Sequence, residues 1–209
     1  MNIPGLRVIA PTTPYDAKGG LISSIRDNNP VMYVEHRLLH FQTGQVPEES
    51  YELPFKSRVT QAGDDITLVG ISYMQVECLR AYHYLRDIGI SAEVIDPIWL
   101  APLDIDTIVE SVRKTKRLLV IDNGWTTCGA SAEIALQVVE QLQGEVDIKV
   151  GRMGFANTTC PPSPHLEYLF YPNERTIASK ARDMVEQADL QWIPDQRDDL
   201  REIEFKGPF

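Results

Sequence analysis

GDDITLVGISYMQVECLRAYHYLRDIGISAEVIDPIWLAPLDIDTIVESVRKTKRLLVIDNGW, residues 63–125, carries the alternation that decides the fold. Residues 65–70 (DITLVG) form a short apolar run rich in branched side chains, the pattern of a buried strand. Met74, Cys78, Leu79, Tyr82 and Leu85 then recur at the spacing of one apolar helix face. Ser72 and Gln75, three apart, predict a capping box at the start of that helix. Residues 92–95 (AEVI) predict the next strand, stopped by Asp96-Pro97; residues 104–115 predict a helix and residues 117–121 (RLLVI) a further strand. Toward the C-terminus the same alternation continues, with a helix at 130–143, a strand at 146–150 and a helix at 173–186. Strands separated by helices predict an α/β fold, a mostly parallel sheet with helices on both faces.

Toward the N-terminus, residues 6–10 (LRVIA) predict a strand that Pro11-Thr12-Thr13-Pro14 breaks, with Thr13 placed to cap a helix and Pro14 at its first position. Residues 15–26 have helical spacing through Ala17, Leu21 and Ile25, residues 27–30 (DNNP) form a turn, and residues 31–34 (VMYV) form the next strand. A strand–helix–strand piece this small cannot bury its own apolar face, so it is expected to pack into a partner chain. Residues 40–53 are polar and aperiodic, with Gly44 and Pro47, and read as an interdomain linker. The expected division is 1–39, a linker at 40–54, an α/β domain at 55–186 and a tail at 187–209, with Trp192, Ile203, Phe205 and Phe209 spaced along it.

The formal net charge is −10, which argues against nucleic acid or an anionic membrane as partner and suits a basic protein partner or plain solubility. No apolar run reaches membrane-spanning length, and residues 1–20 lack a basic start followed by an apolar core. Cys78, Cys128 and Cys160 form neither a zinc pattern nor a disulfide framework, and a reducing, cytoplasmic setting is expected.

Ligands of open parallel sheets sit at the carboxyl ends of strands. Asp96, Asp122-Asn123-Gly124 leading into Thr126-Thr127-Cys128-Gly129, and Gly70-Ile71-Ser72 qualify by position. Without a GxGxxG, P-loop or GxSxG pattern they read as turns and caps. His36, His40, His83 and His165 have no carboxylate or cysteine at ligand spacing, and Cys128, at a helix start, has no base beside it in sequence. Residues 23–29 (SSIRDNN) end a helix whose last carbonyls lack intrahelical partners; with Asp27 and Asn29 near, they fit either a hard-cation ring or an ordinary polar cap, and pattern alone favours the cap.

The order of the segments adds more. Residues 4–35 (PGLRVIAPTTPYDAKGGLISSIRDNNPVMYVE) resemble the end of the pyrimidine-binding domain in β subunits of thiamine-diphosphate-dependent 2-oxoacid dehydrogenases of the pyruvate, branched-chain and acetoin types. Residues 63–125 resemble the start of the transketolase-type C-terminal domain of those subunits, and GASAEIALQVVE (129–140) and PHLEYLFYPNERTI (164–177) continue it. The resemblance runs over residues 3–185; NTTCPPSP (157–164) departs from the shorter proline turn of the family.

The resemblance implies oxidative decarboxylation of a 2-oxoacid with acyl transfer to a lipoyl group on an acyltransferase core, within an α2β2 assembly. It implies thiamine diphosphate and magnesium held mainly by the α-type subunit, and an activating glutamate in the β segment that precedes the part matched here. The expected partners are therefore an α-type subunit, the chain carrying that pyrimidine-binding half, and the dihydrolipoyl acyltransferase core. By position it implies a structural potassium on the carbonyls of Ser24, Ile25 and Asp27, with Asn29. The chain is expected to serve assembly and to be inactive alone. Two other readings are a non-catalytic module that docks on the acyltransferase core, and part of a transketolase or deoxyxylulose-phosphate-synthase type enzyme.

Overall fold

The computed structural model describes residues 1–187, 192–197 and 199. The expected strand–helix–strand opening is present as β1 (Arg7–Ile9), α1 (Pro14–Arg26) and β2 (Val31–Tyr33), followed by a 3-10 turn at Arg37–Phe41. Next come β3 (Arg58–Gln61), β4 (Ile66–Gly70), α2 (Tyr73–Asp87), β5 (Ala92–Asp96), β6 (Trp99–Ala101), α3 (Ile105–Thr115) and β7 (Arg117–Trp125). The chain continues through α4 (Ala130–Leu142), β8 (Lys149–Phe155), the short α5 (Pro164–Glu167) and α6 (Glu174–Glu186).

Five strands form one sheet in the order β3-β5-β4-β7-β8. Within it β4 runs parallel to β5 and β7, and β7 parallel to β8, while β3 closes one edge antiparallel to β5. All five residues of β4 are buried, the continuous apolar strand that a sheet covered on both faces requires. α2 and α6 cover one face around Leu68, Cys78, Leu85 and Ile177. α3 and α4 cover the other around Val69, Ile108, Val120 and Ile134. Trp192 packs on the first layer, with the Arg182 guanidinium 5.0 Å from its ring centre. The remaining apolar positions of the expected tail, Ile203, Phe205 and Phe209, lie outside the described residues.

A second sheet has the order β2-β1-β6. β1 pairs in parallel with β2 and antiparallel with β6, a strand that follows the Asp96-Pro97 turn and carries the fully buried Trp99. The face that α1 buries is not the one its apolar spacing marks. Asp16, Gly19, Gly20 and Ser23 face inward, while Leu21 is 48% and Ile25 75% exposed. The small residues are needed for close approach: a Cβ at Gly19 meets the Tyr51 ring at 2.5 Å, and one at Gly20 meets Ile9 Cδ1 at 2.5 Å. Residues 51–53 lie against α1, where Tyr51 stacks on Tyr15 with centroids 4.5 Å apart and Leu53 N donates to Ser23 Oγ at 2.8 Å.

Two local expectations are corrected. The Ser72–Gln75 capping box does not form. Ser72 sits at φ 55°, ψ −125°, a conformation costly for any residue with a Cβ, and its hydroxyl makes no cap bond. Gln75 instead donates from Nε2 to Thr60 Oγ1 at 2.8 Å. The last strand begins at Lys149 rather than at 146, because Val146 N still donates to Leu142 O and completes the end of α4. The capping box is found at α6, where Asn173 Oδ1 accepts from Arg175 N and Thr176 N, and Thr176 Oγ1 accepts from Asn173 N.

Candidate functional site

The carboxyl edge of the five-stranded sheet opens into a cleft of about 390 Å³. α2, which leaves β4, supplies Tyr73, Met74, Glu77 and Arg80; the end of β7 supplies Asn123; and the approach to α6 supplies Tyr168, Tyr171 and Asn173. His36, from the turn after β2, closes the cleft by stacking on Tyr73 with centroids 4.8 Å apart. The cleft thus lies where parallel topology places binding sites.

Its floor is a buried carboxyl pair. Glu77 Oε2 accepts the backbone N–H of Glu174, at the first turn of α6, at 2.8 Å. Glu77 Oε1 accepts from Arg80 Nη1 at 2.7 Å, and that same nitrogen reaches the Tyr73 hydroxyl at 3.4 Å. Burial first, and then the hydrogen bond shared with the Glu174 carboxyl, push Glu77 up to about 7. Burial also pushes the Tyr73 phenol up to about 12 and lowers His36, with His40 adding to the latter. His36 is therefore neutral near pH 7, and its Nδ1 accepts from Leu38 N at 3.4 Å.

Of the positions singled out by sequence, Asn123 reaches this cleft and Asp96 does not. Asp96 is 1% exposed beneath β6, with Oδ1 accepting Ile98 N at 3.0 Å, and burial pushes it up to about 7. Burial raises Asp122 as well, against a lowering influence of the Ser131 and Asn123 backbone. Cys128 is exposed. His40 faces Glu35 at 3.9 Å, and His83 touches Tyr82 edge-on. His165 lies on α5.

Ser24 and Ile25 lie in the last turn of α1, Asp27 caps it, and Asn29 follows in the turn beyond. Asp27 N donates to Ser23 O, and Asn29 N turns instead to Asp27 Oδ1 at 2.8 Å. The Ser24 and Ile25 carbonyls thus lie past the last intrahelical bond. The Asp27 carboxylate is already matched, by Asn29 Nδ2 at 2.8 Å and Arg7 Nε at 2.5 Å. These bonds, those of Asn29 foremost, hold it below its usual value.

Sequence reasoning missed Glu77, Arg80 and Glu174. Each reads as a surface charge on a helix, and the two glutamates stand 97 residues apart. Only the packing of α6 on α2 joins them. The signal available was weak: Glu77 lies one position from Cys78 on the buried face of α2.

Residues 56–177 match the family model of the transketolase C-terminal domain. The acetoin:2,6-dichlorophenolindophenol oxidoreductase subunit beta of Cupriavidus necator is 41% identical over 182 residues, 87% of this chain and 54% of that protein. The pyruvate dehydrogenase E1 component subunit beta of Staphylococcus epidermidis is 39% identical over 185 residues, 88% of this chain and 57% of that protein. A solved chain described as a split gene transketolase, inactive beta4 tetramer, matches with a TM-score of 0.72 at 20% identity, over 88% of this chain and 59% of that one, a likeness of fold. The chain spans about half the length of the curated relatives it matches. With a family match across more than half of its residues, and relatives near 40% identity that are β subunits of acetoin and pyruvate dehydrogenases, this chain belongs to the transketolase C-terminal domain family.

Proposed function

We propose that this chain is the assembly-forming part of the β side of a 2-oxoacid or acetoin dehydrogenase. In this reading it works within a hetero-oligomer with an α-type subunit and the pyrimidine-binding half, and donates its product to an acyltransferase core. The observation that carries the reading is the reach of the similarity. Identity of 41% extends over 182 residues, against 56–177 for the matched domain, so the similarity to a β subunit takes in residues outside that domain. The outward Leu21 and Ile25 of α1, with Met32 of β2 52% exposed, supply an apolar surface for a neighbouring chain.

Among the described residues no three His, Cys, Asp or Glu side chains gather as metal ligands. In this reading thiamine diphosphate, which supplies the reactive carbon of such enzymes, and magnesium are held by the partner chains. No helix among the described residues is long and apolar enough to cross a membrane, and a cytoplasmic complex is part of the proposal.

Co-expression with an α-type subunit and a pyrimidine-binding half tests the reading. The reconstituted complex is expected to decarboxylate a 2-oxoacid or cleave acetoin with reduction of an artificial electron acceptor, while the 209-residue chain alone shows none. Turnover by the chain alone overturns it.

The loop at residues 24–29 is proposed to hold potassium through the Ser24, Ile25 and Asp27 carbonyls and the Asn29 side-chain oxygen. Carbonyl oxygens past a helix end are suitable donors for a hard cation. Asp27 takes part through its backbone, because Arg7 and Asn29 occupy its carboxylate. The melting temperature in potassium chloride is expected to exceed that in sodium chloride at equal ionic strength, and Asn29→Ala to shrink the difference. Equal melting in both salts removes the site.

A further inference from the structure

The start of α6 rests on α2 through two carboxyl groups that water scarcely reaches, Glu77 at 4% and Glu174 at 5% exposure. Glu77 Oε2 accepts the Glu174 backbone N–H at 2.8 Å, and the two side chains also share a hydrogen bond. Ionised carboxylates only accept, so a bond between two carboxyls requires a proton on one of them. The contact is complete only while the pair holds that proton.

One positive group faces the pair directly. Arg80 of α2 binds Glu77 Oε1 at 2.7 Å. Arg175, the next residue of α6, is engaged elsewhere, with Nε on Pro194 O at 2.6 Å and Nη1 on the Tyr168 hydroxyl at 3.3 Å. The other titratable groups of α2 nearby, Tyr73, Cys78 and Tyr84, are raised by burial and stay uncharged near pH 7. His36, from the turn after β2, is neutral there, and Glu167 at the rim adds a further acid. The strands beneath α2 and α6 meet them with apolar side chains, among them Leu68, Leu119 and Ile121. Without the proton, two carboxylates out of water stand against one guanidinium, an arrangement that low polarity makes costly.

We propose that the proton shared by Glu77 and Glu174 is a latch: while it is held, the first turn of α6 stays seated on α2, and when it is lost that turn lifts and widens the cleft. The motion is local, because the body of α6 keeps Ile177, Ala178, Ala181 and Met184 on the core. Glu77, raised from 4.5 to about 7, places the release near neutrality. Since the seated value lies above the ordinary one, seating is strongest below the ordinary value and is lost as pH rises through the raised one. The latch does not depend on a partner chain or on the 24–29 loop, so its failure leaves the proposed function standing.

Hydrogen–deuterium exchange of the 209-residue chain at about pH 6 and 8.5, corrected for base catalysis, tests the proposal. Protection of the amides at 173–177 is expected to fall about tenfold between the two, while β4 stays the better protected at the higher pH. Glu174→Gln, whose side-chain amide donates to Glu77 at either pH, is expected to cancel the loss at 173–177. Glu77→Gln carries the same test if Glu174→Gln does not fold. Protection at 173–177 that is unchanged with pH overturns the latch, as does protection that falls only in step with β4, or that falls as far in a folded glutamine variant as in the parent chain.

Discussion

Replacement of Arg58 by alanine is expected to lower the stability of this chain by about 3 kcal/mol. The Asp16 carboxylate is fully buried at the start of α1, and Arg58 of β3 reaches both of its oxygens, Nη1 to Oδ2 at 2.8 Å and Nη2 to Oδ1 at 2.5 Å. The Thr13 hydroxyl adds a third bond at 2.6 Å, which does not neutralise the charge. Without Arg58 a carboxylate remains out of water with no counter-charge, the costliest way to break a buried pair. The guanidinium is itself 38% exposed, which places the loss at the lower end for such pairs. Asp16→Asn in the same background is expected to recover part of it, since the stranded charge is then gone. Urea denaturation of the single and double variants measures both effects. A loss below about 1 kcal/mol for Arg58→Ala would sink the account.

Stability is expected to fall as pH rises through neutrality, by about 1 to 2 kcal/mol between about pH 6.5 and 8, the end of a larger loss that begins at lower pH. Glu77 and Asp96 are both raised to about 7, from ordinary values of 4.5 and 3.8. Between the ordinary and the raised value the folded chain holds more protons than the unfolded one, so stability declines with pH. The contribution is complete below the unfolded value and is lost as pH passes the folded one. Asp104, held low by Thr107, Ser57 and Lys56, and Glu93, held low chiefly by Lys114, act in the opposite sense. Their stabilisation is already complete above their ordinary values of 3.8 and 4.5. His36, lowered from 6.5, adds stability as pH rises toward that value, so the decline is cleanest above it. Denaturation midpoints at a series of pH values show the slope, and Glu77→Gln is expected to flatten it. A midpoint that stays level or climbs from pH 6.5 to 8 contradicts the assignment.

The α/β class was legible because its signals are local. The buried run of β4 and the apolar stripes of α2 and α3 are visible in a short window of sequence. β3 was not legible, because an edge strand with partly exposed residues, Arg-Val-Thr-Gln, has no buried run to show. β6 was hidden by its place just after Asp96-Pro97, where a turn is the simpler reading. The inward face of α1 misled for a physical reason: glycines and a serine pack by letting Tyr51 and Ile9 come close, whereas hydrophobic spacing marks Leu21 and Ile25. The cleft escaped because it depends on distance in the chain. The Glu77–Glu174 contact follows from the seating of α6 on α2, and a sequence shows two unrelated helical charges. Asn123 was noticed for its position at the end of a strand, which is a property of topology and does not depend on its neighbours.

β6 joins what the sequence divides. It leaves the middle of the larger unit, directly after β5, and completes the small sheet that β1 began. A boundary drawn at residues 40–54 separates two stretches of chain without separating two bodies, since neither sheet can be lifted away without tearing a strand from its partner. Heat or denaturant should therefore meet one cooperative unit, and the N-terminal piece belongs to the folding of the whole as fully as any helix of the larger layer.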